Sequence, residues 1–86
     1  MWRLVFTPRA RKDLLKIEKS EAIRIVEKLK SCLENPESHF VQLSRPYAEY
    51  WKLRVGDYRA IAVLEYSTQT VEVRRAGHRK NIYRQL

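Results

Sequence analysis

The sequence predicts a single α+β domain of order β-α-α-β-β-β, an N-terminal helical hairpin on one face of a small antiparallel sheet. Three observations predict it. Apolar residues recur at helical spacing through two adjacent N-terminal segments. After Trp51 the pattern turns to strict alternation, and short turns, not crossover-length connections, break that alternation. The 86 residues suffice for one domain, 1–86, and the 44% apolar content favours a folded domain over disorder. A domain of this size buries only about 60% of its unfolded surface, so partner contacts bear on its stability.

The elements follow in order. "WRLVF" alternates and is rich in strand formers, which gives a first strand over residues 2–6. Thr7 is suited to cap a helix and Pro8 to its first turn, where a missing N–H costs nothing. Ala10, Leu14 and Ile17 then share a helical face. Ser20 is the next cap candidate. Ala22, Val26, Leu29 and Leu33 repeat the helical spacing, widened by Ile23 and Ile25. Asn35-Pro36 stops this second helix. The stretch after it is irregular, with a short extended piece at residues 40–43. Three alternating strands follow, and "HRKNIYRQL" closes the chain as a basic tail with one helical turn.

Lysine and arginine number 18 against 10 acidic residues, a net charge of +8 that leans towards the C-terminal half. Such a charge attracts polyanions and speeds association with them. A lone cysteine, Cys32, rules out an intrachain disulfide and reads as a small core residue. No apolar run approaches a membrane span. A cytoplasmic protein without a membrane role is expected, with no cofactor and no metal site.

The turn at "KLRVGDYR" decides where the charges go. With Gly56-Asp57 as a two-residue loop, glycine supplies the positive φ of a primed turn. Val55 then pairs with Tyr58, Leu53 with Ala60 and Trp51 with Ala62, on an apolar face that meets the helices. Arg54 falls opposite Arg59 and Lys52 opposite Ile61 on the other face. A turn centred on Ser67 to Thr70 pairs Tyr66 with Val71, Leu64 with Val73, Glu65 with Glu72 and Val63 with Arg74. It also brings Arg59 level with His78. Lys52, Arg54, Arg59 and Arg74 therefore gather on the helix-free face, with His78 and the tail at its edge. Like charges directly opposite each other destabilise a sheet. An anion justifies such a cluster, and phosphate suits the arginine fork best. Trp2, Phe6, Trp51, Tyr58 and Tyr66 follow the alternation and read as core.

These residues carry a resemblance. "WKLRVGDYRAI", a further strand and "RAGHRKNIYR" resemble the RelE/ParE superfamily of toxins from type II toxin–antitoxin pairs, nearer the RelE branch. "FTPRARKDLLKI" and "LENP" fit as well, so the resemblance spans nearly the whole chain. It implies a metal-independent endoribonuclease that cuts mRNA in the ribosomal A site, by attack of a ribose 2′-hydroxyl on the adjacent phosphate. It implies Lys52, Arg59, Arg79 and Tyr83 as catalytic residues, and Arg54, Arg74, His78 and Lys80 on or beside the basic face are expected as phosphate contacts. Arg59 and Arg79 would stabilise the charge that builds at phosphorus. Lys52 acts as base only where neighbouring charge disfavours its ammonium. Imidazole makes His78 the easier base on chemical grounds. Tyr83 would position the substrate, stack on a base or serve in proton transfer. Where some members carry a second basic residue before the lysine, this chain has Tyr50.

Two further functions share the fold: a ParE-like toxin that inhibits DNA gyrase without hydrolysis, and an inactive relative that only binds an antitoxin. All three imply a RelB-like antitoxin, an acidic and partly helical chain wrapped over the basic face. The oligomeric state would then be that of the antitoxin complex.

Overall fold

A computed structural model describes residues 1–85. Strand β1 (Arg3–Phe6) leads into helices α1 (Pro8–Lys16) and α2 (Lys19–Ser31). A 3₁₀ turn at Pro36–Ser38 and the two-residue strand β2 (Val41–Gln42) follow. Strands β3 (Trp51–Val55), β4 (Tyr58–Glu65) and β5 (Thr70–His78) come next, then a 3₁₀ turn at Ile82–Gln85. The five strands form one sheet in the order β1-β5-β4-β3-β2. The β3–β4–β5 meander is antiparallel as expected, but β1 runs parallel to β5, which makes the sheet mixed. Alternation fixes which face a residue takes, not which edge a distant strand joins, so the sequence carried no sign of this pairing.

The helical hairpin starts as its chemistry dictates. Thr7 caps α1, its hydroxyl accepting from the Ala10 amide at 3.1 Å, with Pro8 in the first turn. Ser20 is not the second cap. Glu18 takes that place, and its carboxylate accepts from the Ser20 amide, an anion at the positive end of α2. Ala10, Ile25, Leu29 and Cys32 pack on Leu53, Val55, Ala60, Ala62, Leu64, Val71 and Val73 in one buried cluster. Those seven sheet residues are the helix-facing set that alternation selects.

Leu14 and Ile17 pack against this cluster, but not every helical apolar residue enters the core. Leu15 is 85% and Ile23 48% exposed. With Leu14, Ile17 and Val26 they line an open groove of about 900 Å³ along the hairpin, whose edges carry Arg11, Lys19, Lys30 and Glu27.

The β3–β4 register agrees residue by residue with the two-residue turn, and Gly56 has φ +61°. The β4–β5 register does not. Four residues, 66–69, form the loop, so Glu65 pairs with Thr70, Val63 with Glu72 and Leu64 with Val71. Tyr66 lies in that loop and not in the core. It is 52% exposed, packs edge-on to Trp2 and donates a hydrogen bond to Glu37. The Glu37 carboxylate as acceptor, with burial second, pushes its pKa up to about 12.

A bulge then interrupts the ladder. Ala62 pairs with Val73 but Ile61 with Arg75, which leaves Arg74 as the extra residue. Beyond it every β5 residue takes the face opposite to that expected. Ala60 meets Ala76, Arg59 meets Gly77 and Tyr58 meets His78. Helix α1 grips β5 here, past the end of β1. The Thr7 hydroxyl donates to the Arg74 carbonyl, and Asp13 Oδ2 accepts from the Ala76 amide at 3.0 Å. The same carboxylate takes Arg75 Nε at 2.8 Å and Nη2 at 3.1 Å. Burial opposes the Asp13 charge, but the Arg75 fork, the Ala76 N–H and nearby Arg9 outweigh it and hold its pKa below the ordinary carboxylate value.

Candidate nucleic-acid interface

The sheet face opposite the helices carries the expected cations, though not all of them. Arg54 projects from β3 directly across from Arg59 of β4, and Lys52 lies across from Ile61. Arg54 is exposed, while Lys52 and Arg59 are half-buried. The two arginines avoid each other by a simple device. Arg59 turns its guanidinium back onto the hairpin, donating to the carbonyls of Gly56 at 3.0 Å and Tyr58 at 2.8 Å. Its charge is thus held at the turn.

The same turn collects Arg79. Its backbone amide donates to the Asp57 carbonyl at 2.8 Å, and its Nε stands 3.8 Å from the Asp57 carboxylate. Both partners are open to water, so the ion pair positions the chain more than it stabilises it. Gly56-Asp57 therefore holds Arg59 with one residue and Arg79 with the other. Asp57 was not among the expected site residues. It stands inside the "GDYR" stretch, but nothing in the sequence says that Arg79 returns to it.

The tail supplies the third component. Ile82 is buried at 1% exposure yet lies outside the main core cluster. It seats over Gly77, where a Cβ would stand 3.3 Å from Ile82 Cδ1. Gly77 lies opposite Arg59, so the tail crosses the helix-free face at that point. The next residue, Tyr83, is 43% exposed, and its ring lies 5.9 Å from Lys52 Nζ. A cation at that distance over a ring is favourable. Lys52 and Tyr83, 31 positions apart in sequence, are brought together by the seating of one isoleucine. Lys80 is exposed at the base of the same tail.

Two expected contacts lie elsewhere. Arg74 is the bulge residue. It is ion-paired with Glu72 and shares a recess of about 240 Å³ with Glu65, Thr68 and Thr70. That places it at the acidic end of the sheet face, away from the hairpin turn. His78 pairs with Tyr58, not Arg59, and packs edge-on to its ring at 5.7 Å. Its Nδ1 accepts from the Lys80 amide at 3.2 Å. The bulge moves His78 to the opposite side of the strand from Arg59, and the expected level pairing with Arg59 is not formed. Lys52, Arg54, Arg59, Arg79, Lys80 and Tyr83 are the candidates that the fold assembles. Chemically such a set of cations has the donors that suit phosphate, with an aromatic ring at its margin.

Comparison with known proteins identifies the family. The family model for the ParE toxin of the type II toxin–antitoxin system parDE matches residues 4–83. No curated protein matches the sequence. Among solved structures, the toxin–antitoxin complex RelBE2 from Mycobacterium tuberculosis superposes with a TM-score of 0.85 at 28% identity, covering 91% of this chain and 98% of that one. The RelB–RelE antitoxin–toxin complex from Methanococcus jannaschii gives 0.69 at 27% identity, over 95% and 98% of the two chains. The YoeB/ParE toxin from Agrobacterium tumefaciens shares the fold, with a TM-score of 0.74 at 19% identity over 88% and 96%. The chain belongs to the ParE toxin family of the RelE/ParE superfamily, and it is a toxin of a type II toxin–antitoxin system.

Proposed function

We propose that the toxin is a ribosome-dependent endoribonuclease that cuts mRNA in the A site and so stops translation. The observation that carries this reading is the convergence of Lys52 and Tyr83 beside the Arg59–Arg79 pair held by the Gly56-Asp57 turn. In the proposed step the ribose 2′-oxygen bonds to the adjacent phosphorus and the P–O5′ bond breaks. The products are a 2′,3′-cyclic phosphate and a 5′-hydroxyl. Arg59 and Arg79 stabilise the added negative charge at phosphorus, worth most when it grows in the transition state. Lys52 is placed to handle the proton and Tyr83 to hold the substrate. Arg54 and Lys80 bind flanking phosphates.

A RelB-like antitoxin is the proposed partner, as in the RelBE complexes of similar fold. An acidic chain complements the net charge of +8. The apolar groove on the helical hairpin, with its three cations and one acid, suits an amphipathic acidic helix of that antitoxin.

The second reading is gyrase inhibition without cleavage, which the match to the ParE family model favours. End analysis of message from a translation reaction separates the two. New 5′-hydroxyl ends on ribosome-bound message support the nuclease. Intact message with gyrase supercoiling blocked establishes the second reading.

A further inference from the structure

We propose that Asp13 and Arg75, paired where α1 meets β5, are positioning residues that place Tyr83 against Lys52. The consequence for cleavage rests on the nuclease reading; the structural part does not. Arg75 is 8% exposed, and Asp13 binds both its guanidinium and the Ala76 amide. These contacts, with Thr7 on the Arg74 carbonyl, hold the backbone on both sides of the bulge.

The bulge decides what lies beneath the tail. Continued without it, the ladder that pairs Ala62 with Val73 would bring Arg75 opposite Ala60, into the core, and Ala76 opposite Arg59. With it, Gly77 stands opposite Arg59. A Cβ there would lie 3.3 Å from Ile82 Cδ1, a tight contact that Ile82 must relieve by moving a few tenths of an ångström. Alanine at that place displaces Ile82, and with it the Tyr83 ring from its position beside Lys52. The chain of causes runs from Asp13 and Arg75 to the bulge, to Gly77 under Ile82, and to the Lys52–Tyr83 contact of 5.9 Å.

The test replaces the pair with apolar residues of similar size, Asp13→Leu with Arg75→Met. Such exchanges commonly preserve stability, so a pair that serves stability alone is dispensable. Cross-strand NOEs of Arg59 and the ring-current shift of the Lys52 side chain report register and tail seating. The expected result is a folded variant in which Arg59 contacts Ala76 in place of Gly77 and the Lys52 shift is lost. Its message cleavage falls about tenfold or more, with ribosome affinity retained. A folded variant that keeps the Arg59–Gly77 contact and the Lys52 shift overturns the proposal. So does one that fails to fold, because the pair is then a stability element. The second link has its own arm. Gly77→Ala loses the Lys52 shift, and adding Ile82→Val, which removes Cδ1, restores it. A Gly77→Ala variant that keeps the shift breaks the chain at that point. Both NMR arms decide the matter even for a toxin that cuts no message.

Discussion

Truncating the buried residue of the tail, Ile82→Ala, frees Tyr83 from Lys52 while leaving the domain folded. Ile82 is 1% exposed and lies outside the core cluster beneath the helices. The substitution removes three buried carbons at about 0.8 kcal/mol each, about 2.4 kcal/mol in all. Truncations inside a closed core cost more, because a cavity stays behind. Here the tail can lift off, so the loss stays near the transfer value and falls on the docking equilibrium. At 1.4 kcal/mol per tenfold this shifts the docked-to-open ratio roughly 50-fold. The amide of Arg84, which donates to Asn81 at 3.1 Å, and that of Asn81, which donates to His78 at 2.9 Å, report the opening. Solvent exchange at both amides should rise by roughly that factor, with the β3–β4 amides unchanged. Unchanged exchange in the tail would refute the anchoring role of Ile82. An equal rise through the sheet would show that the tail belongs to the global folding unit.

Four further outcomes are expected. Asp13→Asn should cost about 3 kcal/mol near neutrality, because it takes the carboxylate charge away from the nearly buried Arg75 guanidinium. The folded pKa of Asp13 is depressed, so its stabilisation is complete above the unfolded value of about 4 and is lost as pH falls through the folded one. Urea midpoints should therefore fall less on acidification in the variant than in the wild type; parallel acid limbs would contradict the linkage. Tyr66 should ionise only near pH 12, with Glu37→Gln lowering that value in a 295 nm titration. Leu15→Glu, at an 85% exposed position in the groove, should leave cleavage intact and weaken antitoxin binding tenfold or more by calorimetry. Lys80→Ala should reduce the salt slope of RNA binding by about one ion; an unchanged slope removes Lys80 from the interface.

The legible part of the fold was the part fixed by short-range pattern. Alternation and a two-residue loop leave one register for β3 and β4, and Arg54 stands opposite Arg59 as that register requires. The β4–β5 loop had no such constraint. "YSTQT" accommodates several turns, and the choice made moved Tyr66 out of the core. The bulge was hidden for a different reason. Arg74-Arg75 reads as two ordinary basic strand residues until Asp13, 62 positions from Arg75, comes alongside. His78 consequently changed face. Of the candidate site, the strand residues Lys52, Arg54 and Arg59 were legible by parity. Arg79 and Tyr83 came from the resemblance alone, because a basic tail carries no pattern that says where it returns. Asp57 and Ile82, which place those two residues, had no sequence signal at all.

The central claim is that the Arg59–Arg79 face cuts message on the ribosome. The most direct measurement is primer extension on a defined mRNA during in vitro translation, comparing wild type with Arg79→Ala. Arg79 is an exposed cation at the turn, so the variant should fold and melt as the wild type does. Wild-type protein should cut ribosome-bound message, and the cuts should disappear in Arg79→Ala. Undiminished cuts in the variant, or intact message with the wild type, would contradict the claim.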